Sequence, residues 1–449
     1  MSDVLDLTRG DSGARARPPI TATSLPPQSE DLALRIWIDA TMPGSEICMF
    51  GMTLLERLLR GLQQTAAALS EVRVELAAGA PIPDSLPEKL VAALPLRWSR
   101  DDLPLAQRFE RAMREAEGDP VLALAADTAV DTRVIGHLCE ATGSYAFIHG
   151  DGEERGALLR VESELPESAE GDTSLLLIAE RAIRIGAAKE FAESDFSGYI
   201  AMLRRHLAPY LFRIPDIDSR DRIERFLFWS NYKGSTDFMT KYVYPPLVWT
   251  FVHPLARWRV HPNWVTGFDW LATFATVPLF AAGAWVPGLL LAYLMSVFDS
   301  VDGKLARLTF TSSKFGEILD HSLDIVHPPV WYMAWGWWLG GGNVASAPFQ
   351  ASLWLLGFYV LDRVCAGVFK ARLGESIHGF TPLDEKVRTF ISRRNVNLVL
   401  FTFALIVDWI APGHHAALYT FYFIVAWQVA CFAWHAERVV RFWNSRGPR

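Results

Sequence analysis

The sequence predicts a multi-domain protein: an α/β layer on a mainly parallel sheet, then an all-α domain of six membrane-spanning helices. Three observations carry this reading. Strand-like runs alternate with amphipathic helical segments between residues 33 and 148, the pattern of an α/β fold. Six apolar segments follow residue 263, each near the ~20 residues that span a bilayer. Four carboxylates, Asp299, Asp302, Asp320 and Asp324, lie among those segments. A carboxylate at membrane depth is costly and marks a functional site.

Composition narrows the classes. The 449 residues exceed a single domain by length. The net charge of −7 is modest and argues against a nucleic-acid partner. Cys48, Cys139, Cys365 and Cys431 are far apart and form no CxxC pair, so buried free thiols are expected rather than disulfides or a zinc site. Residues 1–30 have no apolar core of signal-peptide length. A disordered lead-in and a cytoplasmic soluble domain over 31–200 are expected.

Taken in order, residues 33–41 read as a strand. Met52 to Thr65 reads as a helix, with Leu54, Leu55, Leu58, Leu59 and Leu62 at helical spacing. Val72–Leu76 alternates as a strand, and Leu105–Ala116 is amphipathic. Val121–Ala126 is an apolar strand ending at Asp127; a helix over Thr132–Thr142 and a strand over Tyr145–Ile148 follow. Ligands of such sheets sit beyond the carboxyl ends of strands, where Asp127 falls. Residues 201–262 read as basic interfacial linker helices, with Arg204, Arg205, Arg213, Arg220, Arg222 and Arg225 suited to anionic headgroups.

The spans are expected near 264–284, 286–306, 317–339, 349–370, 395–412 and 415–435, a six-span domain over 263–442. The third is expected to be interrupted by its acids and by Pro328-Pro329. Connections at 283–287, 340–348 and 411–415 carry no Lys or Arg. Those with Lys304, Arg307 and Lys314, then Lys370 to Arg394, are basic, as is the tail with Arg438, Arg441, Arg446 and Arg449. The positive-inside rule then places both termini and the acidic stretch in the cytoplasm. Trp331, Trp335, Trp337 and Trp338 read as interfacial aromatics.

Asp299 and Asp302 share a helix face at i, i+3, with Gly303 and Ala306 beside it; Gly316, Asp320 and Asp324 form a stripe every four residues. Two such faces turned together make a carboxylate cage suited to magnesium. Few bases at this depth are expected to neutralise it. Arg307 can bind a diphosphate. An ion transporter would also carry intramembrane acids, and buried ion pairs are a further reading.

Asp299, Asp302, Gly303, Ala306, Arg307, Gly316, Asp320 and Asp324 match every defined position of the CDP-alcohol phosphotransferase (CDP-alcohol phosphatidyltransferase) signature. The resemblance covers about 230–442 and includes Pro262-Asn263 and Thr266 ahead of the first span. It implies a six-helix membrane enzyme that moves a phosphoryl-alcohol group from a CDP-alcohol donor to an alcohol acceptor and releases CMP, in phospholipid or polar-lipid synthesis. It implies two Mg2+ ions, with Mn2+ able to substitute, on Asp299, Asp302, Asp320 and Asp324, with Asp324 taking the acceptor's proton. Asn263, Thr266, Gly303, Arg307 and Ser313 would contact the CDP portion. Arg393-Arg394, with Lys370 and Arg372, resembles an acceptor-binding basic patch. A homodimer among membrane lipids, multi-pass in a bacterial-type inner membrane, is the implied setting. His321 and His327 are expected to pack or hydrogen-bond rather than bind metal.

The soluble part resembles the nucleotidyltransferase fold (Rossmann-like α/β), on Gly51-Met52-Thr53-Leu54-Leu55-Glu56-Arg57 and Ala126-Asp127-Thr128-Ala129-Val130-Asp131. In that family the Asp after the apolar strand helps hold a metal. The phosphate-cradling loop should follow the first strand, but Ala40-Thr41-Met42-Pro43-Gly44-Ser45-Glu46 has one glycine and no base. A degenerate, inactive domain is expected. A bifunctional cytidylyltransferase making its own CDP-alcohol, such as CDP-inositol, is the alternative, and a silent membrane scaffold a further one.

Overall fold

The computed structural model describes residues 34–65, 68–162, 172–196, 198–200, 203, 205–234 and 236–443. The expected lead-in over 1–30, Arg204, Arg446 and Arg449 lie outside the described residues. The chain divides into two compact units, Met1–Ile200 with His206–Asn231, and Ala201–Arg205 with Tyr232–Arg449.

The first unit is built on a seven-stranded sheet. Its strands are β1 (Leu34–Asp39), β2 (Leu69–Leu76), β3 (Leu96–Arg100), β4 (Val121–Ala125), β5 (Tyr145–His149), β6 (Gly156–Val161) and β7 (Lys189–Glu190). The order is β7-β5-β6-β4-β1-β2-β3. All neighbours run parallel except β6, which is antiparallel to both β4 and β5. Alternation along β1 explains the layers. Ile36 and Ile38 join Leu55, Leu58, Leu59 and Ile135 on one face. Trp37 points to the other, against Phe109 and Ala112, its ring 5.2 Å from that of Phe109.

The helix Leu54–Gln63 starts where Thr53 Oγ1 accepts the Glu56 N–H at 3.1 Å, an N-cap that satisfies an orphan amide. A Glu56–Arg60 pair one turn apart, at 2.8 Å, supports it.

His206–Asn231 pack within the first unit, where the sequence placed a linker at the headgroups. Leu211–Arg213 pairs antiparallel with Thr128–Val130. The helix Ile217–Ser230 buries Glu224, whose Oε1 accepts the Phe50 N–H at 2.8 Å. Its bases serve this unit: Arg213 binds Asp127, Arg222 binds Glu154 and Arg220 binds Asp221.

The second unit is helical. After Tyr244–Arg257 come α1 (Pro262–Ala281), α2 (Trp285–Leu308), α3 (Lys314–Leu339), α4 (Ala347–Leu373), α5 (Arg394–Ile410) and α6 (Ala416–Phe442), with a short helix Pro382–Phe390 before α5. The stretches Trp285–Leu308, Ala347–Leu373, Pro382–Ile410 and Ala416–Phe442 are long and apolar enough to cross a membrane, and the chain reads as an integral membrane protein. Helices α1 and α3, which with α2 carry the polar residues of the site, fall outside that group.

Four expectations are corrected here. First, α3 is not interrupted: it is continuous through Pro328-Pro329. Pro328 has no N–H for the Asp324 carbonyl four residues back. The Tyr359 hydroxyl donates to that carbonyl instead, at 2.9 Å. Second, Trp331 and Trp335 are core residues rather than interfacial ones: the Trp331 indole donates to Thr273 O at 3.1 Å, and Trp335 stacks on Phe401 at 4.3 Å. Third, Lys304 and Arg307 lie inside α2 rather than in a loop. Lys304 is buried, its Nζ 2.8 Å from the Tyr232 ring centre. Fourth, the cysteines are free but not all buried, for Cys48 is exposed.

Candidate active site

Helices α1, α2 and α3 bring the signature together. At the start of α1, Asn263, Thr266 and Asp269 share one face at three-residue spacing. Thr266 Oγ1 donates to Asp302 Oδ2 at 2.6 Å, and the Gly303 N–H lies 2.5 Å from Asp302 Oδ1. Asp302 is thereby fixed and only 3% exposed. Its neighbours open outward: the side chains of Asp299, Asp320 and Asp324 are 18%, 34% and 53% exposed. Asp324 is thus the carboxylate a soluble reactant can reach.

The glycines of the signature are places of close approach. A Cβ on Gly316 would lie 2.9 Å from Asn263 Oδ1 and 3.2 Å from Ser313 Oγ. Ser313 caps α3 by accepting the Gly316 N–H at 3.0 Å. A Cβ on Gly303 would lie 3.2 Å from a terminal nitrogen of Arg307, whose guanidinium folds back over that glycine. Arg307 is in electrostatic reach of Asp302 and Asp320. Asn263, Thr266, Gly303, Arg307, Ser313 and the signature carboxylates are therefore brought into one neighbourhood.

A base does reach this depth. The Arg394 guanidinium, from the first turn of α5, donates to Asp299 Oδ2 at 2.8 Å and stands 4.0 Å from Asp324 Oδ1. It also meets His327 Nε2 at 2.5 Å, while His327 Nδ1 is 2.7 Å from Leu323 O. Arg393 turns the other way, 3.8 Å from Asp237, a buried carboxylate that also receives Asn395. Lys370 and Arg372 are exposed near the end of α4. His321 is exposed, with Nδ1 4.0 Å from Asp320.

Other groups belong to the site without any motif to announce them. Lys233 lies in electrostatic reach of Asp299, Asp320 and Asp324, and Arg363 in reach of Asp324. Tyr359 and Lys233 come from segments distant in sequence, and spacing alone does not reveal them; Asp269 falls three residues beyond Thr266 on the same helix face but matches no position of the signature.

The donor chemistry fits a hard divalent cation. The four carboxylates of α2 and α3 lie within electrostatic reach of one another, and Asp299 Oδ1 is buried with no hydrogen-bond partner. As placed, no three His, Cys, Asp or Glu side chains among the described residues stand close enough to hold an ion between them. Arg394 supplies the counter-charge.

In the first unit, the carboxyl ends of β1 and β4 are covered by the protein's own side chains. Asp127 is 2% exposed and accepts from Arg213 Nε at 2.8 Å. A Cβ on Gly44 would lie 2.8 Å from both Asp127 Cβ and Ile214 O, so the loop after β1 rests directly on this aspartate. Arg108 closes over Asp39 at the end of β1, at 2.9 Å. Burial raises the Asp127 carboxyl above the ordinary carboxylate range, against the opposing pull of Arg213.

Residues 259–435 match the family model described as CDP-alcohol phosphatidyltransferase. A choline/ethanolaminephosphotransferase of Arabidopsis thaliana is 33% identical over 136 residues, 26% of this chain and 34% of that protein. The chain thus spans about a third of the length of the curated relatives it matches. Among solved structures, the phosphatidylinositol phosphate synthase of Mycobacterium tuberculosis with CDP-DAG bound aligns with TM-score 0.36 and 19% identity, over 43% of this chain and 94% of that one. A putative glucose-1-phosphate thymidylyltransferase from Bacillus anthracis aligns with TM-score 0.30 and 9% identity, over 43% of this chain and 94% of that one.

Proposed function

We propose that residues 259–435 transfer a phosphoryl-alcohol group from a CDP-alcohol to the hydroxyl of a second alcohol, with release of CMP, in the synthesis of phospholipids or related polar lipids. One observation carries the reading: the signature carboxylates of α2 and α3 converge with Arg307 and an open Asp324 beside the Asn263–Thr266 turn.

In this mechanism Asn263, Thr266, Gly303, Arg307 and Ser313 hold the CDP part. Asp299, Asp302, Asp320 and Asp324 would hold divalent ions, two Mg2+ or Mn2+, which neutralise the diphosphate when bound. The acceptor oxygen forms its bond to phosphorus as the bond to the CMP oxygen breaks. CMP leaves with that electron pair, and the acceptor's proton passes to Asp324. A carboxylate is a weak base, but it need only accept the proton as the new bond forms. Lys370 and Arg372, exposed near the end of α4, offer positive charge toward a polar or phosphorylated acceptor; Arg393 and Arg394 would join them on exchanging Asp237 and Asp299 for it.

The setting is a six-span domain in an inner-type membrane, with both termini and the site on the cytoplasmic side. The connections at 283–287, 340–348 and 411–415 carry no Lys or Arg, while Lys304, Arg307 and Lys314 at the facing ends of α2 and α3, and Lys370 to Arg394, place the bases on the other side, which favours that topology. Trp264, Leu271, Val286, Leu290 and Trp409 are each about 70–80% exposed on these helices, which suits contact with lipid or with a second copy in a homodimer.

The first unit serves a structural or regulatory role in this reading. Arg213 and Gly44 at Asp127 favour it over a working cytidylyltransferase. The proposed domain boundaries are 31–200, joined by 206–231, for the first unit and 263–442 for the membrane domain.

The test is CMP release by the purified full chain, given magnesium and a panel of CDP-alcohols and polyols. Release from at least one pair, abolished by Asp324→Asn, is expected. No release from any pair would leave a scaffold or an ion transporter as the better account, and equal release from Asp324→Asn would overturn the proposed mechanism.

A further inference from the structure

Asp269 lies on α1, one turn beyond Thr266, and is 0% exposed. Neither of its carboxylate oxygens has a hydrogen-bond partner. That is an unusual state for a buried acid, because an isolated charge in an apolar interior costs several kcal/mol or more. Its electrostatic surroundings are those of the site: Asp299, Asp302, Asp320 and Arg394. The face it occupies looks into the site along its length. Asn263 meets Gly316 and Ser313, and Thr266 binds Asp302. One turn deeper, the Thr273 hydroxyl is also buried without a partner.

We propose that Asp269 is a fifth carboxylate of the cation site, approaching from α1 behind the four of the signature. It acts as a positioning and charge-setting residue, raising the pull of the site on divalent cations from a place that solvent cannot screen. The geometry gives it no other compensation: the nearby Arg394 is already committed to Asp299 and His327. The inference rests on the phosphotransferase reading, which needs cations at this place.

The experiment measures Mn2+ binding by electron paramagnetic resonance to the purified full chain, together with the melting temperature with and without Mn2+. Asp269→Asn is expected to weaken Mn2+ binding about tenfold, the usual scale for a supporting group around a metal. In the cation-free protein the same change is expected to leave the melting temperature unchanged or higher, because an unpartnered carboxylate has been removed. A purely structural aspartate would do the reverse, lowering the cation-free melting temperature with affinity intact, and that result overturns the proposal. If Asp269→Asn does not fold, Asp269→Glu keeps the charge but moves it by one methylene. A several-fold change in Mn2+ affinity then supports the inference, and wild-type affinity overturns it. Mn2+ binding by wild type with equal binding by Asp269→Asn sinks this inference alone. Absence of binding by wild type sinks the phosphotransferase reading with it.

Discussion

Tyr359 and Asp324 show how much of the site depends on single atoms. Pro328 leaves the Asp324 carbonyl without its helical donor, and the Tyr359 hydroxyl fills the gap at 2.9 Å. This bond holds the turn that carries the proposed base. Tyr359→Phe strands the carbonyl and should cost about 1–3 kcal/mol. The expected outcome is a lower melting temperature together with slower CMP release; an unchanged melting temperature would contradict the role. Asp127 makes a different residue-scale prediction. Its folded carboxyl titrates above the ordinary value because of burial. The stability it contributes is therefore full below the unfolded value of about 3.9 and is lost as pH rises through the folded value. Asp127→Asn mimics the protonated form, and Arg213, 36% exposed, keeps access to water. The variant should stabilise the first unit more at pH 7.5 than at pH 4.5, read by hydrogen exchange of peptides around Val121–Val130. Weaker protection at pH 7.5 would reverse the sign.

At the scale of elements, the register of the acids was legible because three- and four-residue spacing puts side chains on one helix face whatever surrounds them. The continuity of α3 was not. Two adjacent prolines read as a break, and their remedy comes from Tyr359, which lies on another helix. Arg394 was legible as a base near the site but not as the partner of Asp299, since nothing local fixes where a long side chain ends. β6 was missed for a similar reason: its role depends on pairing antiparallel with both β4 and β5, a tertiary fact. The close crossing of α3 over α4 can be tested through Gly336, where a Cβ would lie 2.8 Å from Ser352 Cβ and 2.9 Å from Pro348 O. Gly336→Leu should force the helices apart and cost about 1–3 kcal/mol, seen as a lower melting temperature in detergent. At Gly316 the consequence falls on chemistry. Gly316→Ala should displace Asn263 and raise KM for the CDP-alcohol more than it lowers kcat; a change confined to kcat would speak against a donor-binding role.

At the scale of the whole molecule, two units with different chemistry share one chain. In the α/β unit Arg213 and the Gly44 loop cover Asp127. The missing glycines and bases of the first loop already hinted at this in the sequence; the covering contacts did not, because Arg213 lies far along the chain from Asp127. Asp127→Ala should therefore leave CMP release by the full chain within about twofold of wild type, the small change expected of a residue away from the reacting atoms. The central claim is group transfer in the helical unit, and its most direct test is stoichiometry. The purified chain, given one active pair of CDP-alcohol and acceptor, should form phosphodiester and CMP in equal amounts, followed together by phosphorus NMR. Asp324→Asn should slow both by about a hundredfold or more. CMP without phosphodiester, or both products at the wild-type rate from Asp324→Asn, would contradict the account.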